Sequence, residues 1–207
     1  MTKFPSPKPF KHTPKAASKT SSKGLSQHKI RIIGGDFKRT PIPVVDIPGL
    51  RPTPDRIRET VFNWLNHLWD SHYADKSVLD LFAGTGALGF EAASRGATHV
   101  QMVEPNPLAL SQLRQLRDKL ELSQVRIHSQ DALQVLRRMD ASRFDLVFLD
   151  PPFGSDLLTQ VKPFLPAIVK PGGLVYIESD KPIELSEEFS LLRESKAGMV
   201  HFSLFQY

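Results

Sequence analysis

Val78-Leu79-Asp80-Leu81-Phe82-Ala83-Gly84-Thr85-Gly86-Ala87-Leu88-Gly89 is the stretch that decides the fold of this chain. An apolar run leads into G-x-G-x-x-G, and a helical pattern, Ala87 to Arg95, opens at once. Glycines at that spacing let a ligand approach the backbone at a helix N-terminus, as in the nucleotide-binding turn of doubly wound α/β folds. The loop alone does not separate nicotinamide from other nucleotide cofactors. Asp80 does. A dinucleotide brings an anionic pyrophosphate, which a carboxylate beside the loop opposes. S-adenosyl-L-methionine carries a sulfonium, an ammonium and no phosphate, so the same carboxylate attracts it. Asp80 also suits a plainer task, as a solvated strand-end acid or a cap for the glycine loop.

Outward from the loop, Thr98-His99-Val100-Gln101-Met102-Val103-Glu104 reads as a second strand ending in an acid. Glu104 stands where a ribose-binding acid is expected in such a βαβ unit, roughly 20 residues after the glycines. Val125 to His128 reads as a third strand. Asp131 after it is placed to accept from an adenine amino group and equally to cap the helix that follows. With Asp80, Phe82, Gly84 and Gly86 these form the candidate cofactor set.

Further on, Phe144-Asp145-Leu146-Val147-Phe148-Leu149 reads as a buried strand, and Asp150-Pro151-Pro152-Phe153 follows it. Proline has no N–H and a locked φ, so this turn is rigid and its carbonyls are expected to stay free to accept. Asp150 accepts as well, and Phe153 offers a face for stacking a base. A carboxylate, two prolines and an aromatic at a strand end suit the gripping of a planar amino group. Pro-Pro could alternatively do no more than end the strand.

Asp80 to Gly89, Glu104, Asp131 and Asp150 to Phe153 occur in the order found in Rossmann-like methyltransferases that act on exocyclic amines. Arg31-Ile32-Ile33-Gly34-Gly35 and the block Gly49-Leu50-Arg51-Pro52-Thr53-Pro54-Asp55-Arg56-Ile57-Arg58-Glu59-Thr60-Val61-Phe62-Asn63-Trp64-Leu65 narrow this further. Over about residues 29 to 207 the chain resembles the bacterial small-subunit rRNA guanine-N2 methyltransferases of the RsmD type. It departs from that pattern at Pro54, where a second threonine is commoner, and in a longer basic tail. The resemblance implies an α/β, Rossmann-like fold with a mostly parallel seven-stranded sheet, a C-terminal antiparallel hairpin and a small N-terminal β/helix extension. It also implies S-adenosyl-L-methionine as cofactor, Asp150, Pro151, Pro152 and Phe153 at the chemistry, and 16S rRNA as substrate, within a 30S particle or an assembly intermediate. The enzyme is expected to be a monomer in the cytoplasm.

Composition agrees with that class. The chain of 207 residues has no cysteine, which removes disulfides and thiolate zinc sites. It has no 18-residue apolar run and no apolar segment after its first lysines, so neither a membrane span nor a secretory signal is expected. The net charge of +5 is uneven: residues 1 to 35 hold eight Lys or Arg and no acid, while 36 to 207 hold 19 basic and 22 acidic residues. The lysines sit among Pro, Ser and Thr, a composition that does not fold alone. Residues 1–28 are therefore read as a basic, disordered tail suited to a phosphate backbone or acting only as a solubilising extension. Residues 29–70 form an extension on the RNA and cofactor side, and 71–207 the methyltransferase domain. Lys29, Arg31, Lys38, Arg39, Arg51 and Arg56 are the candidate RNA contacts. Arg58, with Arg51 and Arg56, is placed off the apolar stripe of its helix, to meet phosphate, a cofactor carboxylate or solvent. His67, His72, His99, His128 and His201 lack ligand spacing, and no metal is expected.

Short strands are expected at Lys29–Ile33 and Thr40–Ile47, with Pro41 and Pro43 limiting the second to an edge. Thr53 can cap a helix whose first position is Pro54. Ile57, Val61, Trp64, Leu65 and Leu68 give it a core-facing stripe. Further helices are expected near 87–95, 107–121, 131–139 and 156–169. Strands alternate with them near 77–83, 98–104, 125–129, 144–149 and 173–179, the pattern of a parallel sheet. Pro171-Gly172-Gly173 marks the last helix-to-strand turn. Phe189–Arg193 and Met199–Tyr207 form the hairpin, joined through Lys196-Ala197-Gly198. Rival functions are a DNA adenine-N6 or cytosine-N4 methyltransferase, a protein-glutamine methyltransferase, a non-catalytic RNA-binding assembly factor and a nicotinamide oxidoreductase.

Overall fold

Strands that are buried on both faces need helices above and below them, and here both layers are present. The structure is a computed structural model describing residues 1–2, 30–45, 47, 53–139, 141 and 143–207. Residues 3–28 of the basic tail, Lys29 and Arg51 lie outside the described residues. Elements run β1 (Ile30–Arg31), β2 (Pro41–Ile42), α1 (Asp55–Leu68), β3 (Ser77–Asp80), α2 (Ala87–Ser94), β4 (His99–Val103) and α3 (Pro107–Lys119). Then follow β5 (Val125–His128), α4 (Ala132–Leu136), β6 (Phe144–Leu149), α5 (Leu157–Val161), α6 (Leu165–Ile168), β7 (Val169–Ser179), β8 (Ser190–Ala197) and β9 (Val200–Gln206).

The seven-stranded sheet has the order β5-β4-β3-β6-β7-β9-β8. β5 to β7 pair in parallel, and β9 and β8 are antiparallel. Strand order turns back between β3 and β6, and the carboxyl ends there open the crevice where such sheets bind ligands. Alternation along each strand sends residues to two cores. Val78, Met102 and Phe148 join α1, α2 and α3 on one face. Leu79, Val147 and Ile177 join α4, α5 and α6 on the other. In α1, Ile57, Val61 and Leu65 are buried as the stripe predicts, and Phe62 joins them. Phe62 lies 5.9 Å from Phe148, which meets Tyr176 edge-on at 5.8 Å, so rings tie α1 to β6 and β7. Trp64 stacks on Phe202 of the hairpin at 5.4 Å.

β1 and β2 form a separate two-stranded ribbon, shorter than the expected strands because Pro41 and Pro43 remove donors. The ribbon is fastened to α2. The Ile33 and Gly34 N–H groups donate to Glu91 at 2.6 and 2.8 Å, and the Asp36 N–H to the Ser94 carbonyl. Arg58 is fully buried beside this fastening, donating to the Thr53 and Arg31 carbonyls and to Asp55, with Glu91 at 3.9 Å. The expectation that Arg58 faces phosphate or solvent is therefore corrected. It satisfies backbone carbonyls where ribbon and helix meet.

Three further expectations change. The helix expected over 156–169 is broken at Pro163 and Pro166 into α5, a 3₁₀ turn and α6. Pro171-Gly172-Gly173 is not a turn but an irregularity inside the longer β7, whose pairing with β6 shifts register there. Lys196 and Ala197 are in β8, so the hairpin turn is only Gly198-Met199, with Gly198 at φ 61°.

Candidate active site

The glycine loop closes against neighbours that admit no side chain. A Cβ at Gly86 (φ 79°) would meet Leu113 at 2.5 Å, and one at Gly89 would meet Met102 at 2.3 Å. The Gly89 N–H donates to Asp80 Oδ2 at 3.0 Å, so the acid caps the first turn of α2 from below. Asp80 is 1% exposed, and burial pushes its pKa up to about 7, with the Asp150 and Glu104 carboxylates adding to the rise. Glu104 accepts from the Gly84 N–H at 2.9 Å and the Asn106 N–H at 2.7 Å; each oxygen keeps a lone pair. Burial raises its pKa against those two bonds. Asp131 does cap α4, accepting from the Gln134 N–H at 2.9 Å.

Asp80, Phe82, Gly84, Glu104, Asp131, Asp150, Pro151, Pro152 and Phe153 all line one cleft of about 1000 Å³ at the carboxyl ends of β3 and β6. Gly86 stands behind it, setting the turn rather than the wall. Phe153 is 44% exposed at the cleft, with its ring available. The turn differs from expectation in one respect: the Pro152 carbonyl is taken by the Ser155 hydroxyl (2.7 Å) and N–H (3.2 Å). Among the described residues, the Pro151 carbonyl accepts no hydrogen bond. Asp150 Oδ2 accepts from the Thr53 hydroxyl at 3.1 Å, and burial raises its pKa.

Thr53 thus does not cap α1. The helix begins at Asp55 after Pro54 with no side-chain cap, and the Thr53 side chain turns into the cleft. One more cleft residue escaped the sequence reading, Glu178 of β7; the hydroxyl of Tyr176, buried beneath, donates to its Oε1 at 2.9 Å. The signal for Glu178 is present in the sequence, since it closes the strand expected near 173–179 as Asp80, Glu104 and Asp150 close theirs. Of the proposed RNA contacts, Arg31, Lys38, Arg39 and Arg56 are exposed. Arg31 pairs with Asp55 at 3.5 Å, and Lys38 and Arg39 sit on the ribbon turn. Among the described residues no group of three His, Asp or Glu could hold a metal ion, and no helix is long and apolar enough to cross a membrane.

The family described as Conserved hypothetical protein 95 matches residues 30–206. The chain is 38% identical to the ribosomal RNA small subunit methyltransferase D of Haemophilus influenzae, over 86% of this chain and 94% of that protein. It is also 38% identical to that of Escherichia coli, over 86% and 90%. The solved structure of yhhF from Escherichia coli superposes with a TM-score of 0.76 at 34% identity, covering 86% of this chain and 97% of that one. HI0767 from Haemophilus influenzae gives 0.72 at 35%, covering 86% and 98%. The acid-lined cleft and its rigid Asp-Pro-Pro-Phe wall stand on that shared fold, and the chain belongs to this family of ribosomal RNA small subunit methyltransferases.

Proposed function

We propose that the protein transfers a methyl group from S-adenosyl-L-methionine to the exocyclic N2 of a guanine in 16S rRNA, on a 30S particle or assembly intermediate in the cytoplasm. The observation that carries this reading is the wall opposite the glycine loop. There Asp150 keeps one oxygen clear of Thr53, and the Pro151 carbonyl has no donor among the described residues. Two acceptors side by side match the two hydrogens of an amine. The buried acids Asp80 and Glu104 beside the glycine loop fit a cationic, ribose-bearing ligand rather than a pyrophosphate. Relatives named for the small-subunit rRNA support the substrate class. The cofactor, when bound, supplies an electrophilic methyl.

The residues of the chain do the rest. Glu104 holds a ribose and Asp131 an adenine amino group, beside its capping bond. A guanine N2 lone pair is delocalised into the ring. Asp150 Oδ1 and the Pro151 carbonyl, accepting one N–H each, turn that lone pair toward the methyl. As the new N–C bond forms, the nitrogen gives up one proton, and the Asp150 carboxylate is the group placed to take it. Phe153 stacks on the base, and orientation supplies most of the rate, on the order of 7–11 kcal/mol in well-aligned systems. A paired base cannot enter such a cleft, so the target is looped or flipped. Arg31, Lys38, Arg39 and Arg56 meet phosphate, with Lys29, Arg51 and the basic tail adding salt-dependent attraction.

Transfer of labelled methyl to 30S particles lacking the modification tests the reading. The label is expected in N2-methylguanine, and Asp150→Ala is expected to lose turnover about 1000-fold, some 4 kcal/mol, while cofactor affinity holds. Label in N6-methyladenine, or normal turnover by Asp150→Ala, overturns it.

A further inference from the structure

Apart from Met1, the most exposed large apolar side chain among the described residues is Met199, 82% exposed. It sits in the two-residue turn between Ala197 and Val200, a place where polar residues and glycine are the rule. The positive φ falls on Gly198 (61°) and not on Met199. That is the pattern of a type II′ turn, which follows the twist of its strands and holds the tip in one shape. The register of the sheet sets where this tip lies. Ile177 pairs with Leu149 of β6 and, one residue on, Glu178 pairs with Phe202 of β9. Asp150 follows Leu149 and is therefore level with Phe202. Met199, ahead of Phe202 in β9's direction, stands about 10 Å farther out beyond the sheet edge. Val200 beside it lines the cleft with Thr53, Pro54 and Asp150, and packs on the α1 side of the sheet. Phe153 lines the same cleft from the loop that leads to α5, on the other side. Along α1, Trp64 (stacked on Phe202), Thr60 and Arg56 form one row at four-residue spacing, which brings the exposed Arg56 to the same end.

A base taken out of its stack leaves a gap between its neighbours, and proteins that unstack bases fill such gaps with apolar side chains, methionine among them. We propose that Met199 is a substrate contact for methyl transfer: it packs against the RNA base next to the target and fills the space that the target leaves on entering the cleft. Phe153 holds the target from one layer of the fold and Met199 holds its neighbour from the other, with Arg56 toward the phosphates at the same end. The unbranched thioether adapts to any base face, so this contact fixes position and not sequence. The inference rests on the reading of the Asp150 cleft as the place that receives the base.

Methyl transfer from S-adenosyl-L-methionine to 30S particles lacking the modification, measured over a range of particle concentrations, tests this. Met199→Ser is expected to raise KM for the particle about tenfold or more, as for one lost base contact. Cofactor Kd and melting temperature should not move, since so exposed a side chain holds little of the fold. Met199→Leu keeps the apolar volume and is expected to stay within about threefold of wild type. Leu191→Ser removes another exposed apolar side chain, near the far end of the same hairpin, and is expected to leave KM alone. A photoreactive diazirine amino acid placed at 199 is expected to crosslink to RNA within about two nucleotides of the methylated one. Normal KM for Met199→Ser, an equal rise for Leu191→Ser, or a crosslink to a ribosomal protein overturns the proposal. The variants are ranked on whichever RNA nucleoside the wild type methylates, so a wrong target base shows in the wild-type product and not in the ranking.

Discussion

Two groups of buried charge touch the same helix, two residues apart, and are built in opposite ways. At Glu91 both carboxylate oxygens are engaged, by the Ile33 and Gly34 N–H groups and by Arg95, with Arg58 at 3.9 Å. At Asp80 one oxygen accepts from the Gly89 N–H, and the charges acting on it come from Asp150 and Glu104, acids like itself. The first group is neutralised within the protein and fastens the ribbon to α2. The second is an unbalanced negative charge held out of water at the mouth of a cleft. A buried ion that has its counter-ion is structure, and one that lacks it marks where a cation belongs.

Removing a partner from the balanced group should do the most damage. Arg58→Met leaves Asp55 and two backbone carbonyls short of a donor and takes a cation from beside Glu91, and should destabilise the fold by about 3–5 kcal/mol in denaturant titrations. A loss under about 1 kcal/mol would break the comparison, since the two groups would then not differ in what they hold up.

Asp80→Asn should do the reverse, sparing the fold and weakening the cofactor by about 1.5–3 kcal/mol, the range for a bond to a charged group. Its pH dependence sharpens the contrast. The folded pKa of about 7 lies above the ordinary 3.8, so the folded protein binds the extra proton and gains stability as pH falls from 7 toward 4. At pH 8 the ionised acid contributes only its burial cost, and Asp80→Asn should there raise the melting temperature of the ligand-free protein. A cationic ligand favours the ionised acid, so wild-type cofactor affinity should rise through pH 7 with proton release, and calorimetry in two buffers reads both. Affinity that falls over that span, or a destabilised Asp80→Asn, contradicts the assignment.

The smallest effect belongs at the rim. Phe153→Leu keeps apolar volume but loses a face, and should raise KM for RNA by about 1–3 kcal/mol equivalent, leaving cofactor binding and melting unchanged. An effect confined to the cofactor would move Phe153 from the substrate wall to the other side of the cleft.

Local chemistry explains what was legible in advance. The glycine loop, the strand-end acids Asp80 and Glu104 and the rigid turn after Asp150 each carry their signal within a few residues. One cleft at the β3–β6 crossover follows from the alternation of strand and helix. Thr53 was misread because its local context, a threonine before Pro54 and a helical stripe, is a good cap, whereas its partner Asp150 is 97 residues away. Arg58 was misread for a related reason. Helical spacing takes it off the apolar stripe, and only the ribbon, which the period of α1 does not encode, covers that side. Glu178 was missed because burial of an acid beside a tyrosine hydroxyl depends on β7 lying next to β6, a matter of sheet order.

The Thr53–Asp150 bond has a consequence for how the protein comes into being. It joins chain positions on either side of four parallel strands, and β3 reaches its neighbour β6 only after β4 and β5 have been made. No early or local part of the chain contains the cleft. Contacts of such long sequence separation form late and slowly, so a partly folded or partly synthesised chain has no place for cofactor. Ligand can then stabilise only the finished domain, and its binding free energy adds to global unfolding rather than to any local opening.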